Sequence, residues 1–281
     1  MLVGASNADN ATELAAYESR FGPLRVRRSY DQPTAGVPAS WSACVGATDA
    51  GTRASVYSFK PSVAAVAAGD AATVARLRTF LGSVPKDGFR RYLCLWHEPE
   101  GEIKDGLFTV AQFRTATARW RDLVAETGRP ELVPVVIFAG TQCFDGQTQR
   151  AFGWDADDLT PPGVAVGFDA YNRYPGDPWR SLQYRFQQQV DWAKAGGRRW
   201  GVSETGCYEY QTGTNPDGSP VYDSALKVTW TAQGVDWARA NGAEFFTYWD
   251  QAFQGDVDKL ARRLHSSVAH INLWRSINAA Q

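Results

Sequence analysis

Eight short apolar runs, most of them followed by a stretch with helical periodicity, recur along the whole chain. This alternation is the strongest constraint on the fold, because strands separated by helices pair in parallel and bury both faces of their sheet. The expected strands cover residues 2–6, 24–30, 54–59, 91–97, 132–139, 164–171, 200–203 and 244–249. Helical stripes stand between them: Leu14, Tyr17 and Phe21, then Val74, Leu77, Phe80 and Leu81, then Val110, Phe113, Thr117, Trp120 and Val124. Further helices are expected at 182–195, stopped by Gly196-Gly197, and at 224–240, stopped near Asn241-Gly242. A last helix is expected at 256–278, with Val257, Leu260, Leu264, Val268, Ile271 and Trp274 as its core stripe. Residues 142–159, after the fifth strand, show no amphipathic period. Eight strands with seven clear helices favour a closed (β/α)₈ barrel of α/β class over a doubly wound sheet. The length of 281 residues suits one such barrel, and no linker or internal repeat divides residues 1–281 into smaller domains.

In barrels of this kind the active site lies at the C-terminal ends of the strands, so the residues that end apolar strands carry the information. The fourth strand runs out as Leu93-Cys-Leu-Trp-His-Glu-Pro-Glu-Gly101 and the seventh as Trp200-Gly-Val-Ser-Glu-Thr-Gly206. Each places a glutamate, Glu98 or Glu204, just past a buried strand. Cleavage of a glycosidic bond with retention needs two carboxyl groups about 5–5.5 Å apart. One must be protonated near neutral pH, which an apolar setting favours, and the other must be ionised. A single glutamate at a strand end is an ordinary rim residue. Two, on strands that can face each other across a barrel mouth, point to paired-carboxylate chemistry.

His97-Glu98-Pro99 together with Ser203-Glu204-Thr205-Gly206 resembles the clan A superfamily of retaining glycoside hydrolases, whose catalytic glutamates stand on strands four and seven. Most members carry Asn before the acid/base. The His97-Glu98 version resembles family 26, the β-mannanases and related endo-β-glycanases. The resemblance implies a (β/α)₈ barrel over the whole chain, with Glu98 as acid/base and Glu204 as nucleophile. It implies that His97 binds the sugar beside the scissile bond, at its 2-hydroxyl. Tyr171, in Gly167-Phe-Asp-Ala-Tyr-Asn172, matches the tyrosine that hydrogen-bonds the nucleophile, and Trp249, in Phe245-Phe-Thr-Tyr-Trp249, matches the aromatic floor under the cleaved sugar. Arg28 on the second strand is the candidate cation beside Glu204. No metal and no organic cofactor are implied, the partner is a carbohydrate substrate, and attack at internal bonds is expected. Family 26 mannanases follow the strand-four glutamate with an aromatic-rich segment. This chain has Pro99-Glu-Gly-Glu-Ile103 there, which leaves the sugar open.

Other residues compete for roles. Glu100 and Glu102 share the loop with Glu98 but stand further from the apolar strand, so their carboxyls are expected to be less perturbed. Asp169 shares a strand face with Tyr171 and either orients the site or forms an ion pair. Lys60 ends the third strand as a rim charge or a substrate contact. Trp96, Trp179, Tyr208, Tyr210 and Tyr222 fall at strand ends or in the loops after them, where sugar stacking and loop packing are about equally expected; Trp96 and Tyr208 stand nearest the two glutamates. Tyr174-Pro-Gly-Asp-Pro-Trp179 and Thr212-Gly-Thr-Asn-Pro-Asp-Gly-Ser-Pro220 read as loops. The segment 207–223 should decide whether the cleft is open, for internal cleavage, or closed. His265 and His270 lie on the last helix as packing or surface residues. With His97 alone near the site, zinc held by histidines is not expected.

Composition narrows the alternatives. The net charge of −1 gives no field to draw nucleic acid or an anionic membrane. No run of 18 apolar residues exists to span a bilayer. Neither a phosphate loop nor a Gly-x-Ser-x-Gly elbow is present. The 11 Trp, 11 Tyr and 14 Phe supply flat faces for sugar rings or simply a large core. The start Met-Leu-Val-Gly-Ala-Ser reads as the first strand rather than a signal peptide, although a trimmed secreted chain would look the same. A secreted, envelope or phage-associated setting is expected over the cytoplasm, and a monomer over an oligomer. Cys94 should be a buried thiol. Cys143 and Cys207 both follow strands, so a disulfide between them is open. The rival reading is a non-catalytic carbohydrate-binding protein, an adhesin or phage tail component on a glycosidase scaffold. The presence of both glutamates weighs against it.

Overall fold

The computed structural model describes residues 1–6, 11–31, 36–141, 143–172, 179–218, 220–250 and 267–280. In chain order its first elements are β1 (Leu2–Ser6), α1 (Ala11–Phe21), β2 (Val26–Tyr30), β3 (Ala54–Ser58), α2 (Val63–Ala68), α3 (Ala71–Ser83) and β4 (Arg91–Cys94). Next come α4 (Pro99–Lys104), α5 (Val110–Glu126), β5 (Leu132–Ala139), α6 (Gln147–Phe152), α7 (Ala156–Leu159), β6 (Ala165–Asn172) and α8 (Leu182–Ala195). The chain continues with β7 (Trp200–Cys207), β8 (Tyr210–Thr214), β9 (Pro220–Asp223), α9 (Ser224–Ala240), β10 (Phe245–Trp249) and α10 (Val268–Ala279).

Eight strands pair in parallel around a closed ring in the order β1-β10-β7-β6-β5-β4-β3-β2, with β2 returning to β1. This is the (β/α)₈ barrel that the alternation of elements predicts. Because side chains alternate across a strand, the barrel has two cores. The inner one holds Val26, Val56, Tyr92, Cys94, Val135, Ile137 and Phe245. The outer one, between strands and helices, is built around Phe59, Phe80, Trp120, Phe138, Phe168 and Trp274. Burial of these apolar surfaces is the main favourable term in folding such a ring. Glycine makes room inside it at two places. A Cβ on Gly201 would lie 2.7 Å from the Phe245 ring, and one on Gly167 would lie 2.7 Å from Ser203 Oγ and 2.9 Å from Ile137 Cγ1.

Several local expectations change. β4 pairs regularly only as far as Cys94, and His97 rejoins the sheet through an isolated bridge to Ile137. β7 runs on to Cys207, four residues past its expected end, through an irregularity described below. The stretch without amphipathic period after β5 contains two short helices, α6 and α7, the second closed by a capping box on Asp155. The presumed loop around residues 212–220 is a β-hairpin, with β8 and β9 paired antiparallel across the turn. Of the last predicted helix, Val268–Ala279 is described, and its earlier part, with His265, lies outside the described residues. His270 is a packing residue, buried with its Nε2 3.0 Å from Thr231 Oγ1.

The four cysteines are free and buried, so the Cys143–Cys207 disulfide is not formed. These two thiols have local acceptors instead: Cys143 Sγ donates to Glu100 Oε1 at 3.7 Å, and Cys207 Sγ to the Tyr208 carbonyl at 3.1 Å. No helix among the described residues is long and apolar enough to cross a membrane.

Candidate active site

Three strands supply the centre of the site, each by simple alternation. On β2, Val26 belongs to the inner core, so Arg28 and Tyr30 also face inward, while Arg27 faces outward to Asp49 at 2.8 Å. The Arg28 guanidinium is held in place by Ser58 Oγ at 2.6 Å and by the carbonyls of Ser29 and Val56 at 3.2 and 3.3 Å. Its Nη2 lies 3.5 Å from Glu204 Oε1. Burial works against this charge, but Tyr30, Glu204 and Asp169 outweigh it and hold the guanidinium above its usual range.

On β6, Gly167, Asp169 and Tyr171 share the inward face, since Phe168 belongs to the outer core. β7 would present Ser203 and Glu204 to opposite faces if its ladder were regular. It is not regular: Phe168 pairs with Val202 but Asp169 pairs with Glu204, so Ser203 is an extra residue on β7. The same shift appears against β10, between Phe246–Val202 and Tyr248–Thr205. A bulge of this kind re-aims side chains. Here it lets both neighbours reach the centre: Ser203 Oγ donates to Asp169 Oδ1, and Glu204 Oε2 accepts from Tyr171 at 2.6 Å. Glu204 Oε1 accepts from the Tyr30 hydroxyl. Gly167 is required because a side chain there would strike Ser203.

Glu98 arrives from the other side. It is the one non-glycine residue with positive φ among those described, at 52°, and it precedes Pro99 at the first turn of α4. A left-handed backbone outside glycine is costly and is found where the surrounding structure imposes it. The imposing contacts here are the His97–Ile137 bridge and the Glu98 N–H donating to the Ile137 carbonyl at 2.8 Å. Burial, and secondarily the charge of Glu204, raise the Glu98 carboxyl to about 7, with Arg28 and Lys60 opposing. Carboxylate oxygens of Glu98, Asp169 and Glu204 all lie within 4.8 Å of one another. Such a trio has the spacing to hold a cation, but the chemistry of the set favours protons. Arg28 already stands against Glu204, and burial followed by the charges of Glu204 and Glu98 pushes Asp169 well above the usual carboxylate range.

Glu100 departs from expectation. It is more perturbed than Glu98, raised to about 8, because its carboxyl is buried behind the loop. Its Oε1 accepts from the Ala139 N–H at 2.8 Å and from Cys143, so it braces β5 and stands outside the carboxylate trio. Glu102 pairs with Lys60 at 3.1 Å on the rim.

Of the remaining candidates, His97 and Trp249 come together with Tyr30, whose ring lies edge-on to both at centroid distances of 5.2 and 5.6 Å. Burial, then the charges of Arg28 and Lys60, hold the His97 imidazole well below its usual range and therefore neutral. Trp96 is turned outward. It is buried in the outer core against Phe108, at 5.2 Å, with the Lys60 ammonium over its ring at 4.9 Å. Tyr208 sits half-buried just past β7, its backbone N–H on the Asn172 carbonyl at 3.3 Å. Trp179 is partly buried against the outer core. Tyr174 and the side chains of Tyr210 and Tyr222 lie outside the described residues. Tyr30 and Ser203 escaped the sequence reading. The two-residue period on β2, which puts Tyr30 on the face of Arg28, was the available signal for the first; nothing local announces the bulge that recruits the second.

No protein-family model matches the sequence. No curated protein matches it either. Solved structures do. The GH26 domain of an endo-β-mannanase/endo-β-glucanase from Prevotella bryantii is 12% identical with a TM-score of 0.55, covering 99% of this chain and 88% of that one. The catalytic domain of a GH26 endo-β-1,4-mannanase from Bacillus sp. JAMB-750 is 10% identical with a TM-score of 0.57, covering 99% and 85%. A GH5 broad-specificity endoglucanase from an uncultured bacterium is 12% identical with a TM-score of 0.58, covering 98% and 93%. At these identities the likeness is one of fold: the chain has the eight-stranded parallel barrel of GH26 and GH5 glycoside hydrolases.

Proposed function

We propose that this protein is a retaining glycoside hydrolase that cleaves β-linkages within a polysaccharide or oligosaccharide, with Glu98 as acid/base and Glu204 as nucleophile. The observation that carries the reading is the pair itself: carboxylate oxygens within 4.8 Å, one group raised to about 7 and the other faced by a buried guanidinium at 3.5 Å. That spacing is too short to seat a water between carboxylate and sugar, as inversion needs, and suits direct attack. The endo-acting mannanases and glucanases that share the fold support internal cleavage.

The geometry supports two displacement steps. Glu98 gives its proton to the departing glycosidic oxygen while Glu204 attacks the anomeric carbon, leaving a glycosyl ester on the protein. Glu98, now ionised, takes a proton from water as that water displaces Glu204. Neutral His97 is available to a sugar hydroxyl as donor or acceptor, and the ring of Trp249 forms the floor. Wild type and Glu204→Ala should be screened on mannans, xylans, β-glucans, galactans and arabinogalactan, with reducing ends assayed and products sized. Cleavage by wild type alone, with a fluorinated glycoside of the cleaved sugar trapped on Glu204 by peptide mapping, establishes the reading. Equal cleavage by both proteins, or a label on another residue, rejects it. Tight binding of one polymer without cleavage favours the carbohydrate-binding alternative.

A further inference from the structure

Glu204 is gripped from two sides by hydroxyls on different strands. Tyr171, on β6, donates to Oε2 at 2.6 Å. Tyr30, on β2, donates to Oε1, and Arg28 Nη2 approaches the same oxygen at 3.5 Å. Tyr171 belongs to the motif that resembles clan A enzymes; Tyr30 lies outside it. Its placement is nonetheless built in. The ring stacks on the Arg28 guanidinium, 3.9 Å from its centroid, and is wedged between His97 and Trp249.

We propose that Tyr30 is a positioning residue that makes the two oxygens of Glu204 unequal, keeping Oε1 as the spectator and leaving Oε2 to attack. The inference rests on the reading of Glu204 as nucleophile. Each carboxylate oxygen offers two lone-pair directions. Among the described residues Oε1 accepts from Tyr30 and also faces the Arg28 charge, while Oε2 accepts from Tyr171 alone, so negative charge is held on Oε1 and Oε2 is the freer oxygen for bonding. Tyr30 can act only as a donor, since burial and the adjacent Glu204 charge keep its hydroxyl protonated far above its usual range. In the first step the C1–Oε2 bond forms as the glycosidic C1–O bond breaks, and the Glu98 proton goes to the leaving oxygen. Oε1 becomes the ester carbonyl and gives up charge. In the second step water attacks C1 and yields a proton to Glu98. The C1–Oε2 bonding pair returns to the carboxylate, whose charge Oε1 shares beside Tyr30 and Arg28. Tyr30 therefore helps the carboxylate leave more than it helps it attack.

Two readouts test this on the full chain. Tyr30→Phe should lower kcat about 10- to 100-fold, the worth of one hydrogen bond to a charged group. KM should fall with it, because the glycosyl intermediate accumulates, and kcat/KM should change far less. Losses of kcat and kcat/KM in equal measure, or no loss, overturn the proposal. The second readout needs no substrate: the carboxyl ¹³C resonance of Glu204 in glutamate-labelled protein, assigned by its disappearance in Glu204→Gln. This carboxyl faces Arg28 and Tyr30 from β2, Glu98 beyond β4, and Asp169 and Tyr171 from β6. In Tyr30→Phe the resonance should shift from its wild-type position. Tyr92→Phe, which alters a distant bond to Glu244, should leave it in place. An unmoved resonance in Tyr30→Phe refutes the grip. A moved resonance in a protein that cleaves nothing and traps nothing upholds the grip and rejects the hydrolase reading.

Discussion

Glu98 and Glu204 stand three strands apart around the barrel ring, beyond β4 and on β7, yet bring carboxylate oxygens within 4.8 Å of each other. The two roles proposed for them differ in the face of the sugar each serves. Removing either opens a space that azide can enter, and the stereochemistry of the product reports which side was opened. Glu204→Ala with azide and an activated β-glycoside should yield the α-azide; Glu98→Ala should yield the β-azide. Without azide, Glu98→Ala should lose about 10²–10⁴ in kcat on substrates with poor leaving groups and much less on activated ones. NMR of the products checks the assignment, and the reverse pattern would exchange the roles.

The acid must be protonated to act. Since burial raises the Glu98 carboxyl to about 7, kcat/KM should fall as pH rises through it. Glu100 is raised too, but it bonds Ala139 and Cys143 outside the carboxylate trio. The alkaline limb should therefore be unchanged in Glu100→Gln. A limb that disappears in this variant would transfer the acid role to Glu100.

Glu100 should instead appear in stability. Its folded-state value of about 8 lies above the 4.5 of an exposed glutamate, so the protonated form favours the folded chain. Its contribution is fully present below about pH 4.5 and is lost as pH rises through about 8. Glutamine keeps the acceptor for Ala139 and does not ionise. Glu100→Gln should match wild type in Tm at pH 5 and exceed it at pH 9, each kcal/mol being worth about 2–4 °C in a chain of similar size. A Tm difference that is flat with pH would contradict the burial of this charge.

The bulge on β7 needs an empty space beside it. Gly167→Ala places a Cβ 2.7 Å from Ser203 Oγ and 2.9 Å from Ile137 Cγ1. Overpacking of this kind costs about 1–3 kcal/mol. Thermal unfolding should show the loss, and activity should fall as well, because Ser203 and Asp169 are displaced together. Gly213→Ala, in open space on the hairpin, should leave activity unchanged.

The sequence by itself determined the barrel. Alternating β and α periods, with Leu132–Ala139 apolar throughout and Gly196-Gly197 ending α8, leave few other ways to bury both faces of a parallel sheet. It also determined where the chemistry could lie, since strand ends of a parallel barrel converge on one face, and Glu98 follows β4 while Glu204 lies in the C-terminal half of β7. What only the tertiary structure decided is orientation. A two-residue period tells which face a side chain takes as long as the ladder is regular. It puts Arg28 and Tyr30 on the face of Val26, and Tyr171 on the face of Gly167, whereas only the family resemblance singles out Arg28 and Tyr171. Trp96 lies beyond the last regular pair of β4, where the period no longer speaks, and the chain turned it outward onto Phe108. The bulge at Ser203 and the left-handed backbone at Glu98 are imposed by neighbouring strands, through pairings far apart in sequence. Protonation was settled the same way. The distance of Glu100 from the apolar run predicts a less perturbed carboxyl than that of Glu98, but α4 folds back and buries it against β5, and burial sets the balance between charged and neutral carboxyl.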